Sequence, residues 1–329
     1  MLRIGIIGAG MMGGTHASAY ANIDGVELVG LADARIEAAQ KLAAEHGARS
    51  YASLEELMEA ENPDIIDICL PTDLHKAHVL YAASCGKHVF CEKPIAMSVE
   101  DALEMTEACR AAGVTFMIGH ALRFSPDYQM AKRIVEDGKL GTVGTVRMIR
   151  EGAPPGWSAW FKDKSRSGGV IVDLGIHELD WLQSAFGEPQ RVYAKIAEEG
   201  LPGEHAFVSI RMKSGVIAHL TASWALPDGF RSFLELAGTE GVLKLDSDDH
   251  KPIAVTRKGN GAGADAELPS SSWESPLSRS PYEVELRHFV DCVRTGTEPL
   301  ITGADAARSL ALALAAVRSA QTGEVITFE

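Results

Sequence analysis

Residues 1–14 read MLRIGIIGAGMMGG, an isoleucine-rich apolar run ending on Gly8, Gly10 and Gly13 in G-x-G-x-x-G spacing. Such a run suits a strand buried on both faces, and the residues from about Met12 onward read as a helix. Glycines at this junction permit a tight turn and let the N–H groups of the helix start approach a pyrophosphate. The next apolar run, VELVGLAD at 26–33, closes on Asp33. That is about the 20 residues beyond the motif at which a dinucleotide fold places its ribose acceptor. Gly8, Gly10, Met11, Met12, Gly13, Asp33, Ala34 and Arg35 therefore form a candidate dinucleotide site. A carboxylate at 33 accepts from the 2′-hydroxyl of NAD and repels the 2′-phosphate of NADP, so NAD is favoured. Arg35 keeps NADP open, since a guanidinium could partly accommodate the phosphate.

The rhythm continues through IIDICLP (65–71), HVFCE (88–92) and VTFMIGH (114–120), with helix-like stretches between, at 75–84 and 99–112 among others. Apolar strands separated by helical crossovers imply a doubly wound, parallel α/β sheet ending near residue 120. Beyond it the pattern changes to one helical stretch and then strand-like segments, among them VGTVRMIRE (143–151), AFVSIRMKSG (206–215), VIAHLTASW (216–224) and FRSFLELAG (230–238). Several alternate apolar with polar residues between turn signals, which predicts an α+β second domain over 121–329 with a mainly antiparallel sheet, one face wet. The Gly-, Ser- and Pro-rich stretch 258–280 reads as a surface loop, and helices close the chain at about 281–295 and 303–321.

Composition bounds the function. The 329 residues are 46% hydrophobic and 23% charged, ordinary globular values, with a net charge of −14 that opposes phosphate backbones and anionic membranes. Neither nucleic acid nor a membrane is an expected partner. The five cysteines have no CxxC spacing, which suggests neither a disulfide framework nor a metal centre. No apolar run reaches the roughly 18 residues of a membrane span, and the N-terminus has no signal-peptide order, so a cytoplasmic protein is expected.

Two further stretches carry chemistry. In FCEKPIAMS (90–98), Glu92 and Lys93 follow an apolar strand, at the carboxyl end of the parallel sheet where open α/β folds bind ligands. A lysine there can stabilise a developing alkoxide. In SGGVIVDLGIHELDWL (167–182), Asp173 and His177 stand four apart on a predicted helix and so share a face. The imidazole suits a proton acceptor near neutral pH, with the carboxylate orienting it. HELDW offers no second histidine for a zinc motif. His16, inside the first helix, reads as a packing residue.

Taken together and in this order, GIIGAGMMG, CLPTDLH, CEKPIA, GHALRFSPDY and SGGVIVDLGIHELDWL resemble the glucose-fructose oxidoreductase and inositol dehydrogenase family, Gfo/Idh/MocA. The resemblance implies a Rossmann domain over 1–120 and a C-terminal domain whose open sheet serves oligomer contacts, giving a homodimer or homotetramer. It also implies a Lys93, Asp173 and His177 catalytic set, with hydride moved between a nicotinamide and a secondary hydroxyl or carbonyl of a sugar, inositol or polyol. On the same ground Pro71, Thr72 and His75 border the nicotinamide, and Arg123 and Trp160 lie near the substrate. Leu122 departs from the usual asparagine or arginine before the RF dipeptide. The alternatives are the family's NAD-using glycosidases and a ligand sensor that keeps the fold without the chemistry.

Overall fold

A computed structural model describes residues 1–156, 159–248, 254–257, 270–273 and 280–329. The first part alternates β1 (Leu2–Ile7), α1 (Met11–Tyr20), β2 (Val26–Ala32), α2 (Ile36–His46), β3 (Arg49–Tyr51), α3 (Leu54–Glu61), β4 (Ile65–Ile68), α4 (His75–Ser84), β5 (His88–Glu92), α5 (Val99–Ala111) and β6 (Phe116–Gly119). The six strands are parallel and ordered β3-β2-β1-β4-β5-β6. β4 and β6 are buried at every residue, as expected of strands covered by helices on both faces. The chain builds outward from β1 to β3, then returns to lay β4 on the other side of β1. In open α/β sheets the ligand crevice lies at such a reversal, beyond the carboxyl ends of the strands.

The second part contains α6 (Pro126–Glu136), β7 (Val143–Gly152), α7 (Lys164–Ser167), α8 (Ile176–Phe186), β8 (Pro189–Ala197), β9 (His205–Met212), β10 (Ile217–Ser223), β11 (Phe230–Gly238) and β12 (Val242–Asp246). It continues with β13 (Ala254–Arg257), β14 (Ser270–Trp273), α9 (Pro281–Thr295), α10 (Gly303–Thr322) and β15 (Ile326–Thr327). Seven strands join as β12-β11-β7-β10-β9-β8-β15; β7 and β10 pair in parallel, and the other pairs are antiparallel. Strict alternation shows best in β9, where Ala206, Val208, Ile210 and Met212 are buried while Phe207 is exposed. The fold is thus α/β, a doubly wound parallel sheet beside a larger, mainly antiparallel one.

Helices tie the two sheets together. α10 opens on a capping box between Thr302 and Asp305 and packs on α5 from the first part and on β8 and α8 from the second. α9 lies against α1. Three features differ from the sequence expectation. β3, α3 and β15 are additional, being short or weakly patterned. Of the loop expected at 258–280, residues 270–273 pair with 254–257 and Ser280 caps α9, and the rest lies outside the described residues. Finally, Asp173 and His177 do not share one regular helix: Ile171–Gly175 forms a π-helical turn, and α8 begins after it. Among the described residues no helix is long and apolar enough to cross a membrane.

Candidate active site

The glycine turn shows why these positions lack side chains. Gly8 adopts φ +103°, and a Cβ there would lie 2.3 Å from the Cys69 carbonyl oxygen on β4's exit. A Cβ on Gly13 would stand 1.9 Å from the Gly8 carbonyl oxygen, so only glycine lets α1 start this close to the turn. Gly10 is the opposite case, for a Cβ there would meet nothing within 4 Å. It caps α1 without a side chain, leaving the first-turn N–H groups for an anion. Asp33 closes the cradle, its Oδ2 accepting the Ala9 N–H and its Oδ1 the Arg35 N–H, each at 2.8 Å.

A cavity of about 570 Å³ spreads over this turn. Gly8, Gly10, Met11 and Met12 line it beside Asp33, Ala34 and Arg35, and Pro71, Glu92 and Lys93 line its inner end. The donor set fits a dinucleotide: an uncapped helix start for a pyrophosphate and a fixed carboxylate for a ribose. Three residues expected in the cofactor set lie beneath the cavity instead. Gly13 packs the turn against α1. Thr72 is buried, and its carbonyl accepts the His75 N–H. His75 is fully buried, with Nδ1 2.9 Å from the Pro94 carbonyl and Nε2 2.8 Å from the Leu70 carbonyl. Burial lowers its pKa against the opposing pull of those two carbonyls, between which the ring is held.

Lys93 and Asp173 meet across 80 residues of sequence: the ammonium donates to the Asp173 backbone carbonyl at 2.7 Å and to its Oδ1 at 3.0 Å. Both side chains are mostly buried yet reach the cavity. Asp173 therefore holds Lys93, where sequence spacing assigned it to the imidazole. Asp173 lies in the π-helical turn, whereas His177 stands on α8 after it. His177 lines a second cavity, of about 330 Å³. Its Nδ1 is buried with no hydrogen-bond partner. Burial, then the positive charges of Arg150 and Lys93, drive its pKa well below the usual histidine range, so the ring is neutral.

Residues 2–120 match the model described as "Oxidoreductase family, NAD-binding Rossmann fold", and residues 128–244 match the GFO/IDH/MocA C-terminal domain. A D-apiose dehydrogenase of Paraburkholderia graminis is 31% identical over 98% of this chain and 88% of its own length. The chain belongs to the GFO/IDH/MocA oxidoreductase family. A myo-inositol 2-dehydrogenase of Thermotoga maritima is 29% identical over 100% of this chain and 99% of that protein. The crystal structure of GenD2 from gentamicin A biosynthesis, in complex with NAD, superimposes with a TM-score of 0.89 at 26% identity, covering 100% of this chain and 96% of GenD2. Members of this family are NAD-binding oxidoreductases, and the chain is one of them.

Within this GFO/IDH/MocA enzyme the two further substrate candidates lie in different places. Arg123 is locked in a two-pronged pair with Asp180, 2.6 Å and 2.7 Å, on a carboxylate of zero exposure that also accepts from Ser309. Its guanidinium braces the fold and does not line the second cavity. Trp160, stacked on Phe161 at 3.9 Å, lines the dinucleotide cavity. Sequence reasoning missed the second cavity's polar wall. Arg150 is nearly buried there, its Nε held by both Glu178 oxygens at 2.7 Å and 2.6 Å. Tyr128, Ser232, Asp246 and Tyr282 join it, and the Tyr128 hydroxyl is buried without a partner. The alternation of VRMIRE puts Arg150 on the same buried side as Val146 and Met148, the signal by which it could have been found.

Proposed function

We propose that the chain is an NAD-dependent dehydrogenase that oxidises a secondary hydroxyl of a sugar-, inositol- or polyol-class substrate, or reduces the corresponding ketone. The observation carrying this reading is the division of the catalytic set: Lys93 and Asp173 line the dinucleotide cavity, and His177 lines a second cavity of its own. The second cavity mixes donors and acceptors, from Arg150 and Tyr128 to Asp246 and Ser232, as a ligand bearing several hydroxyls requires. Its guanidinium is already matched by Glu178, which suits a neutral substrate better than an acid.

Bound NAD supplies the hydride acceptor. The residues do the rest. His177, neutral and with an unpartnered buried nitrogen, takes the hydroxyl proton, and Lys93 stabilises the negative charge that grows on the oxygen. Asp173 anchors the ammonium rather than the imidazole. Asp33, with no paired cation closer than the 3.6 Å Arg35 contact, favours NAD over NADP. The outward face of the second sheet, with Tyr193, Phe207 and Ile217 exposed, supports self-association as a homodimer or homotetramer.

The test is a panel of inositols, aldoses and linear polyols, headed by myo-inositol and D-apiose, assayed with NAD and NADP by absorbance of the reduced nicotinamide. Turnover of at least one polyhydroxylated compound, abolished in Lys93→Met, is expected. Turnover that survives in Lys93→Met would refute the reading.

A further inference from the structure

Behind the inner end of the dinucleotide cavity lies a line of titratable groups that the reaction itself does not use. Asp67 and His16 have no exposure, and Glu92 has 5%. The His16 Nδ1 is 2.9 Å from Asp67 Oδ2, and its Nε2 stands 3.1 Å from Glu92 Oε1, off the line of a good hydrogen bond. Cys69 donates to the other Asp67 oxygen at 3.3 Å. On the far side, Glu92 Oε2 accepts the backbone N–H of Lys93 at 3.1 Å.

The charges in this line are settled by its members. Burial alone would discharge His16, but Asp67 and Cys69 hold its pKa well above the usual range, so it is an imidazolium. Burial would likewise protonate Glu92, and His16 reverses that and keeps it a carboxylate. Lys93 and His75 also draw the Glu92 pKa down, each more weakly than His16. Tyr282 on α9 lies 6.2 Å from the His16 ring, and Phe90 on β5 meets the ring edge-on at 5.5 Å. Glu285 on α9 has zero exposure and two unpartnered oxygens, and burial, with Glu92's charge behind it, pushes it far toward the neutral acid. The Tyr20 hydroxyl of α1 is buried beside Asp67, and burial followed by the Asp67 charge pushes its pKa up.

Burying three charges is expensive, and apolar residues of similar volume often hold a core as well, so the line is poorly explained as a stabilising device. Glu92 and Cys69 reach the lining of the dinucleotide cavity, and the hydrogen bond from the line to a reacting group is the Glu92–Lys93 contact. We propose that His16 is a positioning residue for Lys93, acting through the Glu92 carboxylate. This rests on Lys93 working at the reacting oxygen. Its ammonium is fixed from one side by Asp173, and its backbone is fixed from the other by Glu92. Both ends of a long, flexible side chain are thereby held. Without the imidazolium, Glu92 loses the strongest of the groups that keep it charged in a dry interior beside Asp67, and it shifts or takes up a proton. The Lys93 backbone then loses its fixed acceptor. A displacement of about 1 Å of a catalytic group costs up to about 10²-fold in rate.

The experiment compares His16→Gln, Glu92→Gln and the double variant in the full chain, with Lys93→Met as reference. Each single change is expected to lower kcat by about 10- to 100-fold, with KM and NADH affinity of His16→Gln within about threefold, and the double variant should lose no more than the worse single one. Amide hydrogen exchange at Lys93, measured without cofactor, should accelerate in His16→Gln. In the unsubstituted protein, nitrogen NMR of the His16 ring should show both nitrogens protonated at pH 8. If Lys93→Met retains turnover, the assignment of Lys93 itself fails. If Lys93→Met is inactive while His16→Gln keeps kcat and Lys93 exchange unchanged, the positioning role alone is wrong. Should His16→Gln fail to fold, additive losses elsewhere in the cycle are unreadable, but a neutral His16 ring at pH 7 in the unsubstituted protein still overturns the proposal.

Discussion

Replacing Asp33 with serine should convert a preference for NAD into near-indifference. The carboxylate is 13% exposed and pinned on both oxygens, by Ala9 N–H and Arg35 N–H at 2.8 Å, so its remaining lone pairs present a fixed acceptor to the cavity. A hydrogen bond to a charged acceptor is worth about 1.5–3 kcal/mol, so losing the ribose contact should weaken NADH by about 10- to 150-fold. NADPH gains at the same time, because the repulsion of a 2′-phosphate disappears. Arg35, whose side chain is 75% exposed with Nε 3.6 Å from Asp33, is released to meet that phosphate. Serine can keep one of the two backbone N–H groups, so the turn at Ala9 should survive. The assay is titration of both reduced dinucleotides by fluorescence at fixed salt, with a melting curve for each variant as a fold control. An unsubstituted protein that already binds NADPH as tightly as NADH would refute the reasoning. So would an Asp33→Ser variant whose affinity ratio moves less than twofold.

Gly13→Ala places a methyl group 1.9 Å from the Gly8 carbonyl, and overpacking of this kind costs about 1–3 kcal/mol. NADH affinity and melting temperature should both fall, and a variant with neither change would show that the turn is looser than it stands. His177 has a folded pKa well below its unfolded value of about 6.5, so it is neutral when folded and protonates on unfolding. Its contribution is complete above that unfolded value and is lost as pH falls below it; the acid-side loss of melting temperature between pH 6.5 and 5 should therefore shrink in His177→Ala. For self-association, Phe207→Glu on the outward sheet face, where Phe207 is 57% exposed, should shift sedimentation toward a monomer. A single monomeric species before any substitution would remove the oligomer from the account.

Much of the first sheet was legible because its signals are local. The strand, turn and helix of GIIGAGMMGG need only neighbouring residues, and the runs at 65–68, apolar but for Asp67, and at 116–119 can be little else in an alternating α/β chain. Arg49–Tyr51 escaped because three residues, one of them exposed, carry no period. The wiring of the candidate site was less legible. Lys93, Asp173 and His177 were named from their stretches, but the π-helical turn that gives Asp173 to Lys93 has no sequence period of its own. Arg123 was read as a substrate neighbour and Arg150 was missed for a related reason, since each is defined by a distant acid, Asp180 for one and Glu178 for the other. His16 looked like a packing residue and is one by burial. Its charge comes from Asp67, 51 positions away.

The most direct test of the central claim is turnover of His177→Ala on the best substrate of the panel, measured beside its NADH affinity and across pH. General-base catalysis is typically worth about 10²–10⁴, so kcat should fall by that much while NADH affinity, set on the far side of the site by the glycine turn and Asp33, stays near that of the unsubstituted enzyme. Because the folded imidazole is neutral, the unsubstituted enzyme should hold its oxidation rate down past pH 6.5 before an acid limb sets in. A folded His177→Ala protein with unchanged kcat and an unchanged pH profile would contradict the account.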